Sequence, residues 1–346
     1  MVIAPAGSSE LLRRRFTDEL LAFLGAERAT AEPELKPLLD ELESIVKAGG
    51  KRLRPRFCYW GYRAGRGADG PEIIRAGAAL ELLHTFALIY DDVMDASSTR
   101  RKQSSSHHRL REGRDERFGT SAALLTGLLG FVLADRLLST CGFAAERLAA
   151  MTERFDHMRT RAIAGQYLDI VAAQDGAAPE QTVRRIGVLK SGAYSVADPL
   201  AIGALAAGAG PDVLRVLDAY GRPIGEAFQI ADDILGVFGD PGQTGKDAVG
   251  DLREGKQTVL LSRARALAAP EDRAVLDRCV GDPALDVDAA DEVRAIMKRT
   301  GALEETRALV VGLKDEALRA LDRAAIAPDA ADALREIAVE ATIRDS

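Results

Sequence analysis

Apolar residues recur at i, i+3, i+4 and i+7 through almost every long stretch of the chain, and few runs alternate with the period of two that strands require. The pattern predicts helices of several turns over Ala76–Met94, Thr120–Leu138, Ala149–Ala172, Thr182–Ala206 and Pro211–Val237. Punctuation falls between them, at Gly65–Pro71, the charged stretch Ser97–Arg117, Gln174–Gly176, Gly208–Pro211 and Gly239–Gly242. No Pro/Ser-rich linker divides the chain, and nothing repeats at a solenoid period. The expectation is an all-α protein, one domain over residues 1–346, with residues 1–9 disordered as small-residue termini usually are.

Composition narrows the class of partner. A hydrophobic content of 47 % over 346 residues supplies a substantial core. The balance of 46 Lys+Arg against 53 Asp+Glu, a net charge of −7, argues against a protein that coats nucleic acid by charge. Cys58, Cys141 and Cys279 are isolated, with no CxxC pair, which suits a reducing compartment and gives a cytoplasmic expectation. No run reaches the roughly 18 uncharged apolar residues of a membrane helix, and the N-terminal arginines follow the short apolar run rather than precede it, the reverse of a secretory signal. No transmembrane segment and no nucleic-acid partner are therefore expected.

Two apolar helices carry carboxylates where carboxylates are costly. The run from Ala78 to Asp95 ends in Asp91, Asp92 and Asp95, and Asp91 and Asp95 lie about 40° apart on one helical face. A second pair, Asp232 and Asp233, sits inside the apolar segment Phe228–Phe238. Solvated helix ends would explain either cluster alone, but apolar residues flank both, and aspartate near a helix C-terminus opposes the macrodipole. Crowded carboxylates must protonate or find cations. All-oxygen donors without histidine or thiolate suit Mg²⁺. A competing metal reading comes from Glu81-Leu-Leu-His84, the ExxH of di-iron bundles. That site needs a second ExxH, and His107, His108 and His157 have no glutamate three residues before them.

Cations follow the carboxylates. Lys51, Arg52 and Arg54 lie beside the glycine pair Gly49–Gly50, where the backbone can approach an anion. Arg100, Arg101 and Lys102 trail the first aspartates, and Lys246 and Lys256 trail the second. Singly, each is a solvated charge run. Together they describe a pocket in which Mg²⁺ and Lys/Arg converge on polyphosphate.

The segments GGKRLRP, LELLHTFALIYDDVMD, STRR, GQYLDI, LKSGAYS, FQIADDILG and TGK…DLREGK occur in the order and approximate spacing of the trans-isoprenyl diphosphate synthases. The chain resembles that polyprenyl synthetase family from about Leu35 onward. The resemblance implies an antiparallel helical bundle around a central cavity, homodimeric, joining isopentenyl diphosphate to an allylic diphosphate. It implies Mg²⁺ as cofactor, three ions with substrate bound, with Asp91, Asp95 and Asp232 as ligands and Asp92, Asp233 and Asp251 in support. Arg100, Lys190, Lys246 and Lys256 take the positions of further allylic diphosphate contacts. Lys51, Arg54, His84 and Arg101 take those of the isopentenyl diphosphate site. His84 lies two turns before Asp91, about 20° off the same stripe. Lys190, Ser191 and Gln229 would face the allylic cation.

Phe86, five residues and roughly 7.5 Å before Asp91 along the helix, with Ala87 beside it, resembles the tunnel floor of a geranylgeranyl (C20) subgroup. Farnesyl and C25 products are the alternatives, together with a class I terpene cyclase on the same scaffold and a non-catalytic partner subunit. Four residues depart from the family pattern: Lys102 for glycine, Ser104 for proline, Leu128 for an aspartate near the site, and Gly236 for a third aspartate. Asp240 could replace the last of these only if its helix persisted past Gly239.

Overall fold

Proline or a capping side chain opens the helices that matter most. In the computed structural model, which describes residues 9–100, 103–239, 249–322 and 324–342, the chain runs through α1 (Ser9–Thr30), α2 (Lys36–Lys47), α3 (Leu53–Ala64) and α4 (Pro71–Met94). A two-residue hairpin follows, β1 (Thr99–Arg100) with β2 (Gln103–Ser104), then α5 (Ser106–Arg109), α6 (Glu116–Ser139) and α7 (Ala145–Asp175). Next come α8 (Glu180–Gly187), a π-helical stretch (Val188–Ala197), α9 (Asp198–Ala206) and α10 (Pro211–Phe238). The remainder is α11 (Gly250–Arg253), α12 (Val259–Leu267), α13 (Pro270–Cys279), α14 (Val287–Arg299), α15 (Ala302–Leu321) and α16 (Pro328–Thr342). Pro71 and Pro211 sit at N1, where a missing N–H costs nothing. Asp115 caps α6, its carboxylate accepting the Phe118 N–H at 2.8 Å.

The chain divides into two compact units, one up to Glu153 plus Pro199–Ala209, the other Arg154–Asp198 plus Gly210 onward. In the first, α4 packs against α6, α3 and α1. Leu12, Phe16, Leu20 and Leu24 of α1 and Ile73, Leu80, Leu82 and Leu83 of α4 are buried, each contributing about 1.5–3 kcal/mol of transfer free energy. Gly77 makes room for Phe16, since a Cβ there would lie 2.6 Å from the ring. α3 and α9 touch backbone to backbone: a Cβ at Gly203 would stand 1.8 Å from the Cys58 carbonyl oxygen, and one at Gly61 2.1 Å from that of Leu200.

In the second unit, α10 packs against the π-helical stretch and α15. Gly192 and Gly225 face each other, a Cβ on Gly225 falling 2.4 Å from the Gly192 carbonyl oxygen. Ala227, Ile230 and Ala231 of α10 join Val183, Val259, Val310 and Leu313 in one apolar cluster. Tyr220 is fully buried and donates its hydroxyl to the Leu334 carbonyl at 2.7 Å.

The all-α reading holds, with three differences. Ser9, expected in a disordered terminus, opens α1; residues 1–8 lie outside the described residues. The single helix expected over Thr182–Ala206 is α8, a π-helical decade and α9. Apolar periodicity does not distinguish a widened turn from an α-turn, and π stretches mark functional positions. Finally, α4 and α6 are long and apolar enough, by length and composition, to cross a membrane; 67 % of the α4 window is buried, as in a core helix.

Candidate active site

In the first unit, α4 ends on its carboxylates. Asp92 is buried, Asp91 and Asp95 are half-buried, and Asp95 is the C-cap. Arg100 answers them from β1: its Nε donates to Asp92 Oδ1 at 2.8 Å and its Nη2 reaches Asp91 Oδ2 at 3.3 Å. Burial alone would lower the guanidinium pKa, but Asp92, Asp91 and Asp95 together hold it above its ordinary value. The strap that carries Arg100 is anchored. Glu41, buried on α2, accepts Ser106 Oγ at 2.5 Å and Arg109 Nε at 3.1 Å. Sequence reasoning missed Glu41; its signal is a carboxylate on the same helix as the core residues Leu39, Leu42, Ile45 and Val46. Arg101 and Lys102 lie outside the described residues.

On the other side of α4's sequence neighbourhood, Lys51 is exposed, and Arg54 in the first turn of α3 and His84 on α4 are half-buried. Glu81, the glutamate of the ExxH, is buried against Arg52, whose Nη1 donates to Glu81 Oε1 at 2.6 Å. That ion pair occupies the oxygen a di-iron reading would need.

Phe86 and Ala87 are both half-buried. The Phe86 ring stacks obliquely on Tyr90 (centroids 4.6 Å) and edge-on to Phe131 of α6 (5.1 Å). Gly127 leaves space for Tyr90, a Cβ there falling 2.6 Å from the ring. Tyr90 and Phe131 were not anticipated; Phe131 becomes visible only when α6 is laid on α4. Leu128, expected near the site, is 50 % exposed, on the α6 face that also shows Leu125 and Val132.

The second unit holds the other cluster. Gln229 lies one turn before Asp233 on α10 and donates its amide Nε2–H to Asp233 Oδ1 at 2.7 Å. Burial pushes Asp233 up to about 8 against that hydrogen bond, with Asp251, Asp232 and Asp169 adding their charge in the same direction. Asp251 comes from α11; Lys256 Nζ donates to it at 3.0 Å and forms an ion pair with Glu254 at 2.7 Å. Gly236 now has a reason: a Cβ there would lie 1.7 Å from Asp251 Oδ2. The volume that a third aspartate of α10 would need is filled by the carboxylate of Asp251. Asp240 and Lys246 lie outside the described residues.

Lys190 and Ser191 stand in the π-helical stretch, both half-buried. Gly165 of α7 lets that stretch approach, since a Cβ there would fall 2.3 Å from the Lys190 amide nitrogen. One turn on, Asp169 accepts Lys190 Nζ at 2.7 Å. The GQYLD segment thus has two tasks, a close approach and a counter-ion, of which the sequence showed only the motif. The start of the stretch leans on the second cluster: a Cβ at Gly187 would meet Gln229 Cγ at 3.2 Å.

Among the described residues, no three His, Cys, Asp or Glu side chains form a ready ligating group. Mg²⁺ does not require one, because it takes one or two carboxylates and completes its shell with water and phosphate oxygens. The donors present are hard oxygens, and burial first, with the charges of Asp251, Asp232 and Asp169 adding to it, holds Asp233 above the usual carboxylate range. The residues fit Mg²⁺.

The comparisons with known proteins agree with this chemistry. The family model described as polyprenyl synthetase matches residues 36–297. A solved geranylgeranyl pyrophosphate synthase from Corynebacterium glutamicum, complexed with isoprenyl diphosphate and magnesium, superposes with a TM-score of 0.94 at 34 % identity, covering 98 % of this chain and all of that one. The short chain isoprenyl diphosphate synthase of Methanothermobacter thermautotrophicus is 31 % identical over 307 residues, 87 % of this chain and 88 % of the relative. The octaprenyl diphosphate synthase of Escherichia coli is 30 % identical over 277 residues, 80 % and 81 % of the two chains. Carboxylate clusters, attendant cations and these likenesses converge: the chain belongs to the polyprenyl synthetase family and is a trans-prenyltransferase.

Proposed function

We propose that this enzyme condenses isopentenyl diphosphate with an allylic diphosphate, head to tail, to give geranylgeranyl diphosphate. The observation that carries the reading is the same in both units: a cluster of carboxylates on an apolar helix, with a cation at hydrogen-bond distance. Asp91, Asp92 and Arg100 make one set, and Asp232, Asp233, Asp251 and Lys256 the other.

Asp91, Asp95 and Asp232 would hold Mg²⁺ on the allylic diphosphate, with Asp92, Asp233 and Asp251 in support. When bound, Mg²⁺ supplies the charge that draws off the departing diphosphate. Arg100, Lys190, Lys246 and Lys256 add fixed positive charge to the same oxygens. Lys51, Arg54, His84 and Arg101 orient the isopentenyl diphosphate so that its double bond meets the allylic carbon. The allylic carbon–oxygen bond breaks to leave an allylic cation and diphosphate, the isopentenyl double bond attacks that cation to form the new carbon–carbon bond, and a proton leaves to the released diphosphate. Gln229, with its amide N–H spent on Asp233, keeps its oxygen for the cation, beside Lys190 and Ser191. The Phe86 ring, backed by Tyr90 and Phe131, would halt the growing chain at C20.

A homodimer belongs to the same proposal. Phe118, Leu125, Leu128 and Val132 form an exposed apolar stripe on α6 in the first unit, and Ile163, Tyr167 and Ile170 form one on α7 in the second. A second copy of the chain is the occupant we infer. The three cysteines are buried and free, which supports a cytoplasmic location. We also take the whole chain as one catalytic domain, since the family model runs through residues of both units.

The test is a product assay by mass spectrometry with Mg²⁺, isopentenyl diphosphate and, in turn, the C5, C10 and C15 allylic diphosphates. A dominant C20 diphosphate is expected. A C15 or C25 product would overturn the assigned floor, and no elongation from any primer would overturn the synthase reading.

A further inference from the structure

The loop before α3 combines backbone strain with a buried charge. Gly49 and Gly50 have φ of 86° and 143°, and Arg52, a non-glycine residue, has φ of 49°. L-residues seldom adopt that conformation, and it persists only where the surroundings impose it. Here the surroundings are three helices. Arg52 is 3 % exposed, and each of its guanidinium nitrogens has a different anchor. Nε donates to Thr17 Oγ1 of α1 at 3.3 Å, Nη2 to the Val46 carbonyl near the end of α2 at 2.6 Å, and Nη1 to Glu81 Oε1 of α4 at 2.6 Å. The guanidinium is planar, so three partners fix its orientation as well as its position.

Its neighbours in sequence do the opposite. Lys51 is exposed and Arg54 is half-buried, so of the three cations only Arg52 is driven fully inward by the turn. At the far end of the pair, Glu81 lies three residues before His84 on the same side of α4. One buried ion pair therefore joins the loop that bears Lys51 and Arg54 to the helical turn that bears His84.

We propose that Arg52 and Glu81 are positioning residues that hold Lys51, Arg54 and His84 in register as one diphosphate subsite, and so set the affinity for isopentenyl diphosphate without touching it. This rests on the reading of those three residues as the isopentenyl diphosphate site. It differs from a purely structural ion pair in what it predicts. Buried ion pairs can be replaced by apolar residues of similar volume with little change in stability, whereas misplacing a binding group by an ångström costs up to about 100-fold.

The decisive variant is R52M/E81M, compared with the wild type, Glu81→Gln, Arg52→Lys and a Lys51→Ala control, each measured for melting temperature and for KM toward both substrates. The double variant should melt close to the wild type. Its KM for isopentenyl diphosphate should rise about tenfold or more, while its KM for the allylic diphosphate stays within about twofold. Glu81→Gln keeps the hydrogen bond and should retain most of the affinity. Arg52→Lys, whose compact ammonium lacks the planar fork that spans three separated partners, should resemble the double variant, and it decides the matter should the double variant not fold. A folded double variant with unchanged KM values, or with both raised equally, overturns the proposal while a raised KM in Lys51→Ala leaves the site assignment standing. A Lys51→Ala protein with wild-type KM overturns the site assignment and this inference with it.

Discussion

Replacing Gly236 by alanine tests whether Asp251 serves as the third carboxylate of the second cluster. The new Cβ would lie 1.7 Å from Asp251 Oδ2 and 2.8 Å from its Cγ, against ordinary contact beginning at 3.4 Å. The carboxylate oxygen must therefore withdraw by about as much again as the gap it now has. If the side chain stayed in place, the overpacking would cost about 1–3 kcal/mol. Asp251 is short, so rotation relieves most of the strain at the cost of its 3.0 Å pair with Lys256, whose two side chains are largely but not fully buried. The fold should lose little. The metal site should lose more, because displaced groups around a metal typically reduce affinity about 10–100-fold. The assay is thermal unfolding with and without Mg²⁺ and inorganic pyrophosphate. Ligand at 100 times its Kd adds about 2.7 kcal/mol, and a tenfold weaker Kd removes about 1.4 of it. In Gly236→Ala the unliganded melt should stay near the wild type while the ligand-induced shift shrinks. The exchange G236D/D251G, which returns a carboxylate to the same volume from α10, should recover the shift. A full ligand-induced shift in Gly236→Ala, or a neutral Asp251→Gly, would refute the assignment.

Three other outcomes follow from the same geometry. Asp233, raised from 3.8 to about 8, is mainly protonated at pH 7 in the metal-free protein; because its folded value lies above its unfolded one, the stability it contributes is complete below about pH 4 and is lost as pH rises through 8. Mg²⁺ with pyrophosphate should displace that proton, so calorimetric heats near pH 7 should vary with buffer ionisation enthalpy, and buffer-independent heats in the wild type would contradict the shift. Phe86→Ala should lengthen the product by at least one prenyl unit in the mass-spectrometric assay, and Phe131→Ala should act in the same direction, since its ring supports Phe86 edge-on; unchanged products in both would remove the aromatic floor. The proposed homodimer should appear in the wild type by light scattering and fall to a monomer in L125D/L128D, which puts charge on the exposed α6 stripe; a monomeric wild type would overturn the dimer, and a dimer that survives both charges would place the interface elsewhere.

Much of this was legible because the chemistry resides in side chains that recur at helical spacing. Asp91, Asp92 and Asp95 end a helix whose period is unambiguous, and Gln229 and Asp233 are one turn apart whatever surrounds them. What escaped the sequence is pairwise and long-range. The Gly165 approach to Lys190, the Gly203 contact with Cys58 and the Glu41 anchor of the strap each join residues at least 25 positions apart, and nothing local marks them. The π-helical decade escaped for a related reason: its backbone departs from α-geometry around Gly192, where Gly225 meets it, while the apolar spacing along it continues undisturbed. Arg52 is the clearest instance. Set between Lys51 and Arg54, it reads as one of three equivalent cations, and only its φ and its burial show that it faces the other way.

The departures from the family pattern raised the prospect of a subunit without activity, and their structural settings bear on that directly. Gly236 is the complement of Asp251, so the second cluster retains a third carboxylate delivered from a different element. Leu128 lies half-exposed on a helix face with Leu125 and Val132, so its apolar character serves a surface. Ser104 sits opposite Thr99 in the hairpin and accepts Arg109 through its carbonyl, an arginine that also binds Glu41; Ser104 is thereby held without being a proline. A degenerate subunit would be expected to lose its costly groups first, because crowded carboxylates and buried arginines destabilise a fold that no longer uses them. Here Asp233 remains at about 8 among three other carboxylates, and Arg100 remains half-buried against the buried Asp92. Retention of that electrostatic cost, with the Asp251 carboxylate filling the volume beside Gly236, is the signature of a site under use.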